Sequence, residues 1–245
     1  MMEDVFKYPD TNSSRAGIAA LNDKFESLKI AIIGLGGTGS YILDAVAKTN
    51  VKEIHLFDGD TFQLHNAFRA PGAFPVEVFE QPDLMKVDHY AAEYSNLRNG
   101  IVAYPVYVNE TNIEQFSIYD FVFISVDSNK ARSFITKSLL RLKVPFIDVG
   151  MGINRVNESL IGTIRVTVGT PEKHDHLEHR IGEDEVAQNE YTPNIQIAEL
   201  NNLNAMLAVI RWKKMFGFYQ DLKMEFNSLY MINTGKLINE DFDIA

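Results

Sequence analysis

The 245 residues include no cysteine. That absence excludes a disulfide framework, a thiolate zinc site, cysteine redox chemistry and any thioester formed on this polypeptide. No run approaches the roughly 18 apolar residues of a membrane helix, and Met1 to Asp10 is polar and acidic with no signal-peptide core. A cytoplasmic protein with no membrane partner is expected. Positive charge is scarce: 23 Lys and Arg stand against 33 Asp and Glu, a formal charge of -10. General nucleic-acid binding through a basic surface is therefore excluded, and an anionic ligand must be met by a local set of donors. Internal repeats, low-complexity tracts and Ser/Gly linkers are also absent. What is present, 46% apolar and 23% charged residues, is the balance of a globular chain able to bury a core.

Buried-strand runs alternate with helical spacings along that chain. Ile18, Leu21, Phe25 and Leu28 fall at helical intervals and lead into a strand at Lys29–Ile33. Helices are expected at Ser40–Lys48, Lys86–Asn96 and Asn129–Leu142, and strands at Glu53–Phe57, Val102–Val106, Phe121–Ser125 and Pro145–Val149. This order predicts an α/β fold, a Rossmann-like doubly wound, mostly parallel sheet covered on both faces. Alternation in Ser159–Val168, and weaker signals at Lys223–Asn227 and Ser228–Asn233, add antiparallel strands in the C-terminal part. The longest helix is Ile195–Phe216, whose stripe Ile197, Leu200, Leu203, Leu207 and Ile210 is expected to pack in the core. Glu199, Asn201, Asn202 and Asn204 interrupt it; amides are poor helix formers, so specific contacts in the core or across a subunit interface are expected of them. The acidic tail Asn239–Ala245 reads as loosely docked. One domain over 1–245 results: an arm and helix (1–28), a nucleotide-binding core (29–169), a variable loop (170–193), then the last helix and tail (194–245).

Gly34-Leu-Gly-Gly-Thr-Gly39 follows a strand and opens a helix, the context in which glycines let a backbone approach phosphates. The helix amino terminus offers that anion unpaired N–H groups. Asp58 ends the next strand, 19 residues beyond Gly39, where a carboxylate accepts from ribose hydroxyls. A tight strand–helix turn alone would also explain the glycines. Arg69, Lys86 and Asp127 then fall towards the carboxyl edge of the sheet, where open parallel folds bind ligands. Each is bland by itself, since surface Arg and Lys are usually solvated and a strand-end Asp is often a helix cap. Together they supply what an ATP-cleaving site needs to neutralise a triphosphate and seat Mg²⁺.

These residues resemble the ThiF/MoeB/HesA-type adenylating enzymes, which share their fold with the activating enzymes of ubiquitin-like proteins. The likeness runs from Arg15 to Val168 and resumes in the Ile195–Gly217 helix. It is carried by Gly34-Leu-Gly-Gly-Thr-Gly39, Leu56-Phe-Asp-Gly-Asp60, Asn66-Ala-Phe-Arg69, Met85-Lys-Val-Asp88 and Val126-Asp-Ser-Asn129. The resemblance implies ATP-dependent adenylation of the carboxy terminus of a ubiquitin-like or sulfur-carrier protein with a Gly-rich tail. By position, Gly34, Gly36, Gly37 and Gly39 would lie at the nucleotide, Asp58 would bind ribose, Asp60 would belong to the same cofactor site, and Asn66, Arg69 and Lys86 would contact phosphates. Asp127 would hold Mg²⁺, and Arg15 would reach into the partner's site of a homodimer.

Lacking the thiol that many such enzymes carry, this chain would stop at the acyl-adenylate, pass it to another protein such as a downstream transfer enzyme, or use an oxygen nucleophile. Thr170, Tyr191 and Thr192 are the nearby hydroxyls, unactivated as they stand. His174, His176 and His179 could hold zinc in place of thiolates, though three His in a charged loop are more often solvated. For His55, His65 and His89 a hydrogen-bonded structural role is expected. Competing functions are adenylation of a peptide or tRNA-linked carboxylate, a silent scaffold, and a nicotinamide oxidoreductase that would leave Arg69, Lys86 and Asp127 without a task.

Overall fold

Aliphatic runs become strands of one sheet. The computed structural model describes residues 5–81, 83–181 and 194–242. The strands are β1 (Lys29–Ile33), β2 (Glu53–Phe57), β3 (Ile101–Tyr104), β4 (Phe121–Ile124), β5 (Phe146–Val156), β6 (Ser159–Gly169), β7 (Glu225–Met231) and β8 (Lys236–Phe242). Their order is β3-β2-β1-β4-β5-β6-β7-β8. The first five in that order pair in parallel and the remainder antiparallel, as the alternation predicts. Helices α1 (Thr11–Ala16), α2 (Ala19–Asn22), α3 (Gly37–Ala47), α4 (Leu64–Ala67), α5 (Lys86–Tyr94), α6 (Asn129–Arg141), α7 (Leu177–Arg180) and α8 (Ala198–Met215) connect them. The chain winds outward from β1 to β3 and returns to β4 on the other side of β1. A topological switch point therefore opens between the carboxyl ends of β1 and β4.

Both faces of the parallel half are buried. Ile30, Ile32, Phe121 and Phe123 join one cluster with Ala205, Ala208 and Trp212 of α8. Their strand neighbours Ala31, Ile33, Val122 and Ile124 join the other, with Ile135 and Leu139 of α6. Trp212 stacks on Phe25 with centroids 4.6 Å apart. Burying a large apolar side chain contributes about 1.5–3 kcal/mol, and such a ring pair about 1 kcal/mol more.

Several expected elements differ. Gly17, in the left-handed region at φ +67, ends α1. The single helix expected over Ile18–Leu28 is instead α2 and a 3₁₀ turn at Asp23–Phe25. α3 starts at Gly37 rather than Ser40, because the glycines themselves form its first turn. β5 does not stop at Val149: Asn157, at φ +53, turns it directly into β6, and Val156 pairs with Ser159. The two strand signals after Lys223 merge into β7, and Gly235 (φ +64) turns the chain into β8. Residues 239–242 of the expected loose tail therefore lie in an edge strand. On α8 the buried face is Asn201, Asn204, Ala205, Ala208 and Trp212, whereas Ile210 is exposed and Leu203 and Leu207 are half-buried. Asn201 and Asn204 thus pack inward while Asn202 is exposed, and the Leu/Ile stripe is only partly covered, with Leu207 at the edge of the core.

Only His55 among the three central histidines has the expected hydrogen bonds, to the Tyr119 hydroxyl (2.8 Å) and Glu53 (3.0 Å). His65 is exposed. His89 stacks on Phe62 at 4.2 Å with its buried Nε2 unpartnered. Burial pushes His55, His89 and His176 below the ordinary imidazole range. Their unfolded counterparts titrate near 6.5, so below that pH the unfolded chain takes up more protons and stability falls. Tm is expected to drop steadily between pH 7 and pH 5, with a shallower slope in His89→Leu. Equal slopes would remove His89 from this account.

Candidate active site

The glycine loop closes against β4 only because two side chains are missing. Gly34 leaves β1 at φ +86, and a Cβ there would lie 2.3 Å from the Ser125 carbonyl oxygen. A Cβ on Gly39 would lie 1.9 Å from the Gly34 carbonyl oxygen. Gly36, by contrast, faces open space, and no side chain caps α3. The first-turn N–H groups of α3 are thus left for an anion.

Two cavities meet beside this loop. The smaller, of about 210 Å³, is walled by Gly34, Gly36, Asp58, Asp60, Arg69, Lys86 and Asp127, with Val106, Tyr107, Val108 and Ile135 at its apolar side. The larger, of about 600 Å³, runs past Gly37, Thr38, Asp127, Arg132, Gly150, Arg165 and Asn204. Gly36, Ser125, Val126, Asp127, Ser128 and Gln196 border both, which puts Asp127 at their junction. Gly39 and Asn66 line neither. Gly39 makes the turn, and Asn66 is buried in α4.

The carboxylates organise the wall. Asp58 accepts from the Leu35 N–H (2.6 Å) through Oδ2 and from the Asp60 N–H (2.8 Å) through Oδ1. It pins the glycine loop to β2 and lines the smaller cavity. Lys86 Nζ lies 2.6 Å from Asp60 Oδ2 and 3.5 Å from Asp58 Oδ1. Burial alone would raise the Asp60 carboxyl, but hydrogen bonds from Lys86 and the Tyr107 hydroxyl outweigh it and hold the group below the usual carboxylate range. The same carboxylate pushes the Tyr107 phenol up to about 12. Asn66 accepts from the Gln63 N–H (2.8 Å), and its Nδ2, like the Arg69 Nε, is buried without a partner. Arg69 lines the smaller cavity, where its unused donor suits a phosphate oxygen, whereas Asn66 lies behind the wall and does not reach it.

Asp127 is exposed and makes no hydrogen bond or ion pair among the described residues. A lone carboxylate beside a phosphate loop is the donor set that Mg²⁺ uses, since that ion keeps waters and shares substrate phosphates. Arg15 lies exposed on α1, outside both cavities of its own chain. The remaining loop candidates separate. His176 is buried with Nε2 on the Val168 carbonyl (2.9 Å), while His174 and His179 are exposed; no metal cluster of His, Asp and Glu exists among the described residues. The Thr170 hydroxyl accepts from the Lys173 N–H (3.0 Å) in a turn and borders neither cavity. Tyr191 and Thr192 lie outside the described residues.

Sequence reasoning missed Arg132, Arg165 and Gln196, and it flagged Asn201 and Asn204 only by their odd place in a helix. Asn201 accepts from the Thr38 hydroxyl (3.0 Å) and donates to the Arg69 carbonyl (3.4 Å), tying α8 to the glycine loop and to the arginine. Its amide occupies the space that a side chain on Gly37 would need.

Residues 12–176 match the ThiF family. The chain belongs to that family. Among its curated relatives, the tRNA threonylcarbamoyladenosine dehydratase of Bacillus subtilis is 29% identical over 141 residues, covering 55% of this chain and 54% of that protein. The SUMO-activating enzyme subunit uba-2 of Caenorhabditis elegans is 26% identical over 145 residues, covering 54% of this chain and 22% of that protein. The chain thus matches at most about half the length of either relative. In fold, this ThiF-family chain superposes on MccB of E. coli solved with ATP at a TM-score of 0.70, with 20% identity over 98% of this chain and 74% of that one.

Proposed function

We propose that this ThiF-family chain is an ATP- and Mg²⁺-dependent adenylyltransferase that activates a carboxylate of a peptide or a ubiquitin-like or sulfur-carrier protein, releasing pyrophosphate. The observation that carries the reading is the junction at Asp127, where a phosphate loop flanked by Arg69 and Lys86 meets a second, larger cavity. One cavity suits the nucleotide and the other an acyl substrate, so their reacting atoms meet where the two join. A carboxylate oxygen attacks the α-phosphorus, the α–β P–O bond breaks, and its electron pair leaves with pyrophosphate. No general base is required, because the nucleophile is ionised at neutral pH. Arg69 and Lys86 offset the charge growing on the leaving group, while the α3 N–H groups orient the phosphates. Mg²⁺, held by Asp127, would neutralise further phosphate charge. The nicotinamide reading gives Arg69, Lys86 and Asp127 nothing to do.

The position of Arg15, free and outside its own chain's cavities, fits a homodimer in which it serves the second copy. With no cysteine on these residues, a thioester would form on a separate transfer enzyme. No described helix is long and apolar enough to cross a membrane, which is compatible with work in the cytoplasm. ATP–pyrophosphate exchange by the purified protein, with and without carriers ending in Gly-Gly and short acidic or neutral peptides, tests the reading. Exchange that requires a carboxylate substrate is expected. ATP binding without exchange for any substrate would overturn the reading in favour of a scaffold.

A further inference from the structure

The larger cavity has a polar end that adenylation by itself does not explain. Asp148 of β5 is fully buried and accepts from Arg132 Nε (2.9 Å) on one oxygen and from Arg165 Nη2 on the other. Arg132 is fixed further by Asn129 Oδ1 (2.7 Å) and the Val126 carbonyl, and Arg165 by the Thr167 hydroxyl. Two guanidiniums thus share one carboxylate, leaving one positive charge in excess. Both border the larger cavity while Asp148 does not, and neither borders the smaller one. Among the described residues Arg165 keeps its Nε–H and a further N–H on each Nη unused.

The wall beside this pair is built for the same purpose. Gly150 pairs with Arg165 across the hairpin, and a Cβ there would lie 2.9 Å from Arg165 Nη2, so the missing side chain makes room for the guanidinium. The Gly150 carbonyl accepts from Asn204 Nδ2 (3.1 Å). Asn204 is 1% exposed and its Oδ1 has no partner among the described residues, a buried acceptor at the cavity wall that calls for a donor such as a peptide N–H. Excess guanidinium charge next to an unpaired acceptor suits an anionic group carried on a peptide. A Gly-Gly tail, lacking side chains, would leave the arginine pair idle.

We propose that Arg165 and Arg132 form an anion subsite that receives a second carboxylate of the substrate, beside the one that is adenylated at Asp127, so that the preferred substrate is an acidic peptide. The assignment of the reacting carboxylate rests on the adenylation reading above; the subsite itself does not. Asp148 is the positioning residue that holds both guanidiniums in place.

The test is calorimetric binding of N-acetyl-Gly-Glu and its near-isostere N-acetyl-Gly-Gln to the whole chain, with and without a non-hydrolysable ATP analogue and Mg²⁺. The acid is expected to bind about tenfold or more tightly, the scale of a charge-assisted hydrogen bond. Arg165→Met should erase that preference while leaving binding of the ATP analogue unchanged, and Asp148, still paired with Arg132, should let the variant fold. Arg165→Lys should keep part of the preference through its charge, without the planar fork. Equal binding of acid and amide, no binding of the acid at millimolar concentration, or undiminished preference in Arg165→Met would each overturn the subsite. Loss of ATP-analogue binding by the unaltered protein would sink the adenylation reading and leave the subsite standing.

Discussion

Asp127→Ala is expected to lower ATP–pyrophosphate exchange by about 10³-fold, the scale on which removing one charge-stabilising group from a phosphoryl-type transition state acts. Tm should stay within about a degree of the parent, because surface substitutions away from caps and networks change stability by less than about 0.5 kcal/mol. The Asp127 carboxylate is exposed and unpaired among the described residues, so nothing in the fold depends on it. Its neighbour Ser128 caps α6 by accepting from the Ala131 N–H, so the capping task does not fall on Asp127. Asp127→Asn should fall nearly as far, since the amide keeps the shape and loses the charge. Exchange within tenfold of the parent in both variants would remove Asp127 from the reaction and leave Arg69 and Lys86 as the groups that manage the phosphates.

The parts of this site that were legible in the sequence are those set by strand ends. Gly34 to Gly39, Asp58 and Asp127 each follow an aliphatic run, and in a parallel sheet every such end lies on one edge, so their convergence is a consequence of topology. Lys86 and Arg69 were legible as candidates, but not the state of Lys86, whose ammonium is held by Asp58 and Asp60. On the adenylation reading, a triphosphate would have to compete with two carboxylates for that cation. The Arg132–Asp148–Arg165 group was not legible. It depends on the register of the β5–β6 hairpin, which sets Gly150 opposite Arg165, and on the unexpected length of β5. A two-residue turn at Asn157-Glu158 was the available signal, since Asn tolerates positive φ. On α8 the contacts expected of the amides are present at Asn201 and Asn204, whereas the Leu/Ile stripe is less buried than expected. Hydropathy places leucine in the core, yet Thr38 presents a hydroxyl and Arg69 and Gly150 present carbonyls to that helix, and the amides of Asn201 and Asn204 pair with them.

Gly34→Ala and Gly36→Ala, two residues apart in one loop, should fail in different ways. At Gly34 an added Cβ meets the Ser125 carbonyl oxygen at 2.3 Å, and the backbone sits at φ +86. Left-handed backbone costs a non-glycine residue about 1–2 kcal/mol, and the collision forces the ends of β1 and β4 apart, for a total of about 4 kcal/mol. In a chain of this size that corresponds to a Tm lower by about 8–16 °C. Because the displaced strands frame the switch point, ATP affinity should fall with stability. At Gly36 the backbone is at φ -71 and nothing lies within 4 Å of the added methyl. Loss of stability there should stay below about 1 kcal/mol, the cost of a poorer helix N-cap. The methyl would instead stand in the space left for phosphate, and Kd for ATP should rise about tenfold or more with the fold intact. Melting curves and nucleotide titrations on the two variants separate the roles. A stable Gly34→Ala would show that the close approach to Ser125 is not required, and parent-like ATP binding by Gly36→Ala would mean that the phosphates do not rest on this loop.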